Sequence, residues 1–128
     1  KTLREEAVVT ERWNRLHPTE TPRVPRVTEL LGQSSGPIVA VTDFVRSVPE
    51  QIARYVGART FTPLGTDGMG RSDTREALRH FFETDAGHVV VAVLTSLIGT
   101  HQVTQELIEQ AIKDFNIDPD AVHSLSRD

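Results

Sequence analysis

Gly36-Pro37-Ile38-Val39-Ala40-Val41-Thr42-Asp43 holds a continuous apolar run framed by turn residues. Three of its four central residues are β-branched, and apolar and polar positions do not alternate. That pattern reads as a strand buried on both faces, the usual condition in a parallel sheet. Downstream, Thr60–Leu64 reads as a second, weaker strand, because Pro63 removes a ladder donor. Between the two, Pro49 suits a first helical turn, and a helix is expected from there to Val56, ended by Gly57. A buried parallel sheet of two strands is not a stable unit, so further strands are expected from outside this chain. Thr60–Leu64 can satisfy at most one edge of Ile38–Val41, which leaves an apolar edge open to pairing.

The second strand runs into Gly65-Thr66-Asp67-Gly68-Met69-Gly70-Arg71-Ser72-Asp73, a glycine-rich turn that opens a helix. Asp73 is the expected N-cap, with Glu76 closing a capping box, and the helix is expected to continue through Phe82. Gly87–Gly99 is strand-like in residue type, but Val90, Val93, Leu94, Leu97 and Ile98 recur at helical spacing. The spacing and the length predict a helix, with Asp85 as its cap. Thr104 caps a last helix with an apolar stripe of Leu107, Ile108, Ala111, Ile112 and Phe115, and a polar tail follows. Upstream of the sheet, Val9, Trp13 and Leu16 mark a helix over residues 3–16. Three prolines make His17–Pro25 a stiff, extended connector, and a short helix is expected at Val27–Leu31. The organisation read from the sequence is therefore a helix plus Pro-rich connector over residues 1–36 and an α/β region over residues 37–128. There are no internal repeats.

The chain has 128 residues, enough for one domain. Aromatic residues are only 5%, so the core must be aliphatic. A net charge of −4 argues against general nucleic-acid binding, so no nucleic-acid partner is expected. Cys is absent, which excludes a disulfide scaffold, a thiolate metal site and a cysteine nucleophile. No apolar run approaches a membrane span, and the start carries no signal-peptide pattern, so a cytoplasmic location without membrane attachment is expected. The chain opens in charged, helix-like sequence without an initiator Met, as a piece of a longer polypeptide would.

Few residues point to chemistry. A glycine-rich turn between strand and helix has the form of an anion cradle. Here Asp67 and Asp73 put negative charge where a phosphate would sit, and no Lys-Ser/Thr pair follows the last glycine. The turn, with Gly65, Gly68, Gly70 and Asp73, is therefore read as structural, and Gly68 or Gly70 is expected at positive φ. Arg71, Arg75 and Arg79 recur every four residues, which makes either a solvated helix face or an interface for an acidic partner surface. Asp43, just past the first strand, stands where ligands gather at sheet edges, although turn formation is the commoner use of such a residue. His17, His80, His88, His101 and His123 show no zinc-ligand spacing. No catalytic, cofactor-binding or metal-ligating residue is assigned.

Several stretches together resemble the C-terminal end of the homodimeric-type pyruvate dehydrogenases, the decarboxylating first component of the pyruvate dehydrogenase complex. They are Glu11-Arg12-Trp13-Asn14-Arg15-Leu16-His17-Pro18 with Thr21-Pro22-Arg23-Val24-Pro25, Val41-Thr42-Asp43-Phe44, and Leu64 through the turn to Thr74-Arg75-Glu76. Phe82-Glu83-Thr84-Asp85 and Phe115-Asn116-Ile117-Asp118 extend the resemblance to the end of the last helix. Met69 stands where the family usually has Phe, a change of packing rather than chemistry.

The resemblance implies a transketolase-like thiamine diphosphate enzyme that decarboxylates pyruvate and reductively acetylates the lipoyl group of the dihydrolipoyl acetyltransferase component. In that family thiamine diphosphate and Mg²⁺ are held by the first two domains at the interface of a homodimer. The third domain is a three-layer α/β/α sandwich with a mixed, mostly parallel sheet, and it supports the dimer. This chain matches the later part of that domain, so the implied fold is incomplete here and its first partner is the remainder of its own polypeptide. None of the family's functional residues maps onto it, and residues 1–128 alone are expected to be inactive and to bind no cofactor. The alternatives are a stand-alone, non-catalytic interaction or regulatory module, or the equivalent domain of another 2-oxo acid dehydrogenase or a transketolase.

Overall fold

Helix α1 (Thr2–Leu16) contacts α2 (Arg26–Leu31), with Ala7 and Val27 completely buried, whereas Val9 and Leu16 of the expected apolar stripe are exposed, because the buried face of α1 is that of Ala7 and Thr10. The computed structural model describes residues 1–126, so the last two positions of the expected α/β region lie outside the described residues. The described residues form two compact units, one of residues 1–36 and 50–59, the other of residues 37–49 and 60 onward.

In the first unit the Pro-rich connector is clasped back onto α1. The Asn14 side chain donates to the Arg23 carbonyl and accepts from the Arg23 amide, both at 2.8 Å. The Arg23 guanidinium lies 3.7 Å from the Trp13 ring centroid, and Trp13 stacks on His17. Glu6 accepts from the first amide of α2, Arg26, at 2.8 Å and from the Thr10 hydroxyl at 2.7 Å. Those two hydrogen bonds, Thr10 first, hold the Glu6 carboxyl below the usual carboxylate range.

The expected helix from Pro49 to Val56 is broken. A short helix α3 (Ser47–Glu50) is followed by a separate 3₁₀ turn over Ala53–Tyr55. Tertiary anchors account for the break. The Thr28 hydroxyl donates to the Tyr55 carbonyl at 2.6 Å, Glu11 accepts from the Tyr55 hydroxyl at 3.1 Å, and Arg54 pairs with Glu11. These partners pin Tyr55 in a tight turn, with its amide donating to Ile52. Local propensity yields to such contacts.

In the second unit β1 (Ile38–Val41) pairs in parallel with β2 (Phe61–Leu64), Ile38 opposite Phe61 and Val41 opposite Leu64. Ile38 N–H donates to Thr60 and Thr42 N–H donates to Leu64. Alternation along a parallel ladder then turns the Phe61 and Pro63 positions away from β1, and those of Val39 and Val41 away from β2. Pro63 thus spends its missing N–H on the outer edge of β2, where a further strand would need it. The outer edge of β1 has no such defect.

Helix α4 (Arg75–Phe81) follows the glycine-rich turn. Helix α5 (Ala86–Ser96) packs across both strands, and α6 (Gln105–Asp114) packs on α5. Gly87–Gly99 is thus helical in its main part, and Asp85 and Thr104 cap the last two helices by accepting from His88 N–H and Leu107 N–H. The strands are only half-buried, and Val41 is 45% exposed. The expectation of burial on both faces is not met within this chain. What stands is a set of helices with a small two-stranded parallel sheet, the arrangement of an incomplete α/β domain. Among the described residues no helix is long and apolar enough to cross a membrane.

Candidate functional site

The loop after β1 and the turn after β2 meet at the carboxyl edge of the sheet. Thr66 N–H donates to the Phe44 carbonyl at 2.8 Å, and the Thr66 hydroxyl to the Asp43 carbonyl at 3.0 Å. Asp67 accepts from Arg46 N–H at 2.9 Å and pairs with the Arg46 guanidinium. Burial would push the Asp67 carboxyl up, but the hydrogen bonds from Arg46 outweigh it and hold the group below its ordinary range.

The glycines of this turn are not equivalent. A Cβ at Gly65 would lie 2.6 Å from the Phe44 carbonyl oxygen and 2.8 Å from Arg46 N. Gly68 has φ 107°, and a Cβ there would lie 2.7 Å from the Ser124 carbonyl oxygen. Ser124 is itself buried and donates from its hydroxyl to the Asp67 carbonyl. Gly70 has neither a positive φ nor any atom close to its Cβ position. Of the two glycines weighed for positive φ, Gly68 is the one that has it.

Asp73 is not the cap of α4. Its Oδ1 accepts from Thr74 N–H at 2.8 Å, and Thr74, one residue later, accepts from Ala77 N–H at 3.2 Å. With Thr74 as cap, Glu76 falls one position short of the place a capping box requires. The arginine stripe is also shorter than the spacing implies, because Arg71 precedes α4 and only Arg75 and Arg79 are on it. The Arg71 guanidinium sits 4.5 Å from the Phe81 ring centroid, with Asp73 at 3.9 Å. Arg79 lies 3.7 Å from Asp43. Arg75 is exposed. Asp43, Arg71, Asp73, Arg75 and Arg79, with Thr66, Gly68, Gly70 and Leu78, line a cleft of about 650 Å³. Arg71 and Arg79 face Asp73 and Asp43, so the cleft offers mixed charge rather than a concentrated anion site.

Folding also unites residues that the sequence keeps apart. Glu83 adopts φ 60° after α4, and Thr84 N–H donates back to the Arg79 carbonyl at 2.8 Å. This reversal brings the last turn of α4 to the start of α5. His80 Nδ1 lies 2.8 Å from Asp85 Oδ2, and His88 Nδ1 lies 2.5 Å from Asp85 Oδ1. Burial alone would raise the Asp85 carboxyl, but hydrogen bonds from His88 and His80 lower it. The sequence signal was His80-x₄-Asp85-x₂-His88, with the Asp at a helix cap. It becomes a cluster only once the chain reversal is known. His17 stacks on Trp13, and His123 lies 3.9 Å from Glu83.

The second unit is thus a small parallel sheet with helix α5 packed on it and its carboxyl edge closed by a locked turn. Its relatives give it a closer placing. The chain is 49% identical over 113 residues to the Pyruvate dehydrogenase E1 component of Escherichia coli K12, covering 88% of this chain and 12% of that protein. It is 47% identical over 116 residues to the protein of the same name from Cupriavidus necator, covering 91% of this chain and 13% of the relative. With the Pseudomonas aeruginosa protein of that name the values are 42% over 123 residues, 96% and 14%. No family model matches the chain. At these identities over about nine tenths of its length, the chain is homologous to a segment of pyruvate dehydrogenase E1 components. It spans about one eighth of the length of those relatives.

Proposed function

We propose that this chain is the later part of the C-terminal domain of a homodimeric-type pyruvate dehydrogenase decarboxylating component, and that its work there is structural. The observation that carries the reading is the 49% identity over 113 residues to an enzyme component of that name. In this reading β1 and β2 are two strands of the sheet of a three-layer α/β/α sandwich. The remainder of the polypeptide adds its strands at the outer edge of β1, since Pro63 leaves β2 the poorer edge. The exposed apolar side chains Val41, Phe44, Val45 and Met69 are then covered by the rest of the domain or by the second subunit. Thiamine diphosphate and Mg²⁺ belong to other domains, as does pyruvate. The glycine-rich turn fixes the sheet edge, and the exposed arginines are available to the dimer or to the acetyltransferase component. A cytoplasmic location goes with this role.

The test compares the whole protein with residues 1–128 alone. The whole protein is expected to sediment as a dimer and to decarboxylate pyruvate only with thiamine diphosphate and Mg²⁺. The 128-residue chain is expected to give no turnover and no heat with the cofactor. A micromolar cofactor affinity in the short chain, about −8 kcal/mol, would contradict the structural role. A whole protein without decarboxylase activity would favour a stand-alone interaction module instead.

A further inference from the structure

His80, Asp85 and His88 stand together for a reason the sheet and its turn do not supply. We propose that they form a binding site for one divalent transition-metal ion of the zinc, nickel or copper class, clamping the end of α4 to the start of α5. The three side chains each offer one ligand atom, and those atoms all lie within 4.8 Å of one another. The two imidazole rings are inclined at 62° with centroids 5.3 Å apart, so both present an edge to the carboxylate between them.

The carboxylate is preorganised. Asp85 caps an 11-residue helix, and its Oδ1 accepts from His88 N–H at 3.1 Å. His88, three residues on, is the most enclosed of the three side chains, at 14% exposure against 29% for Asp85 and 51% for His80. Two ligands are therefore fixed by one helix start, and the third comes from a half-exposed ring that can adjust. Ligand atoms around a tetrahedral ion sit roughly 3.3 Å apart, given metal–nitrogen and metal–oxygen bonds of about 2.0–2.1 Å. His80 Nδ1 and His88 Nδ1 stand 2.8 Å and 2.5 Å from the Asp85 oxygens, so both rings must draw back by less than about 1 Å to admit an ion. Two imidazoles and one carboxylate suit zinc-class ions, whereas Mg²⁺ and Ca²⁺ prefer oxygen sets. The solvent-facing side of His80 leaves room for a water as fourth ligand. On binding, the metal takes the two Nδ1 lone pairs, and any proton those atoms carry leaves to solvent. The inference is independent of the enzymatic role proposed above.

The experiment uses the purified protein that carries this chain, stripped with a chelator. Zn²⁺ is titrated calorimetrically into the wild type, His88→Gln and His80→Gln, and the Cu²⁺-loaded forms are read by electron paramagnetic resonance. The wild type should show one Zn²⁺ event that either substitution weakens at least about tenfold. Its Cu²⁺ spectrum should show hyperfine splitting from two nitrogens, falling to one in each variant. Circular dichroism confirms that the variants are folded. His80→Gln sits at the exposed ligand and keeps the test open should His88→Gln disturb α5. Equal Zn²⁺ affinity and unchanged nitrogen splitting in a folded variant would overturn the proposal. So would the lack of any saturable Zn²⁺ event that depends on these residues.

Discussion

The two units hold themselves together in different ways. The first ties distant segments with single side chains: Asn14 to Arg23, Glu6 to Arg26, Thr28 to Tyr55, and Arg59 to the carbonyls of Leu31 and Gly36. Each clasp satisfies a backbone group that no helix or sheet would otherwise serve. The second unit gathers its constraint at one place, the carboxyl edge of the sheet. There Gly65 and Gly68 allow backbone approaches that no side chain could survive. Its strands remain half-buried. Distributed clasps make a unit that tolerates the loss of one tie. A concentrated lock makes a unit that fails at one point, while its open strand edge waits for a neighbour.

The sharpest way to break that contrast is at Gly68. Gly68→Val combines a left-handed backbone, which costs about 1–2 kcal/mol with a Cβ, with a steric approach of 2.7 Å to the Ser124 backbone. Thermal unfolding of the purified protein should show a loss of more than about 2 kcal/mol. Gly70→Ala, two residues on, should stay within about 0.5 kcal/mol, since no atom is near its Cβ. Equal losses at the two glycines would mean that the lock is not where the close contacts place it.

That contrast marks what the sequence could show. The caps at Asp85 and Thr104 are legible because a cap is a matter of four consecutive residues. The cap of α4 is misplaced by one because Asp73 and Thr74 are both cap formers and only the observed hydrogen bonds choose between them. The break at Gln51 and Ile52 is illegible, since it is made by Thr28 and Glu11, more than twenty residues upstream. His17–Pro25 reads as an extended connector, but the amide of Asn14 that folds it back is an ordinary polar residue in a sequence. The resemblance of Arg12-Trp13-Asn14 to a family motif gains a physical cause here: Trp13 and Asn14 both serve Arg23. Likewise His80, Asp85 and His88 needed the reversal at Glu83, and a positive φ at a glutamate has no sequence signature.

A smaller effect is expected from a clasp in the first unit. Asn14→Ala removes two side-chain-to-backbone hydrogen bonds at an exposed position, where water can replace them in part. The loss should be about 1 kcal/mol in thermal unfolding, with the Arg23 amide losing hydrogen-exchange protection while β1 keeps its own. A loss as large as that of Gly68→Val would erase the distinction between distributed ties and a single lock.

The smallest effect is reached by pH. Glu11 and Asp67 are both held below their ordinary range, Glu11 by the Arg54 hydrogen bond and Asp67 because Arg46 outweighs its burial. A depressed folded pKa contributes stability that is complete above the unfolded value, about 3.9 for Asp, and lost as pH falls through the folded value. Both units should therefore be indifferent to pH between 5 and 7, on the scale of these groups, and weaken below about pH 4. Salt separates them. The Glu11–Arg54 pair is the more exposed, and ions screen exposed pairs more strongly than partly buried ones. In Asp67→Asn the acid loss measured by melting between pH 5 and 3 should shrink, and the remainder should be the more salt-sensitive part. If Asp67→Asn leaves the acid loss unchanged, the Arg46 contact does not hold the turn, and the lock rests on its glycines alone.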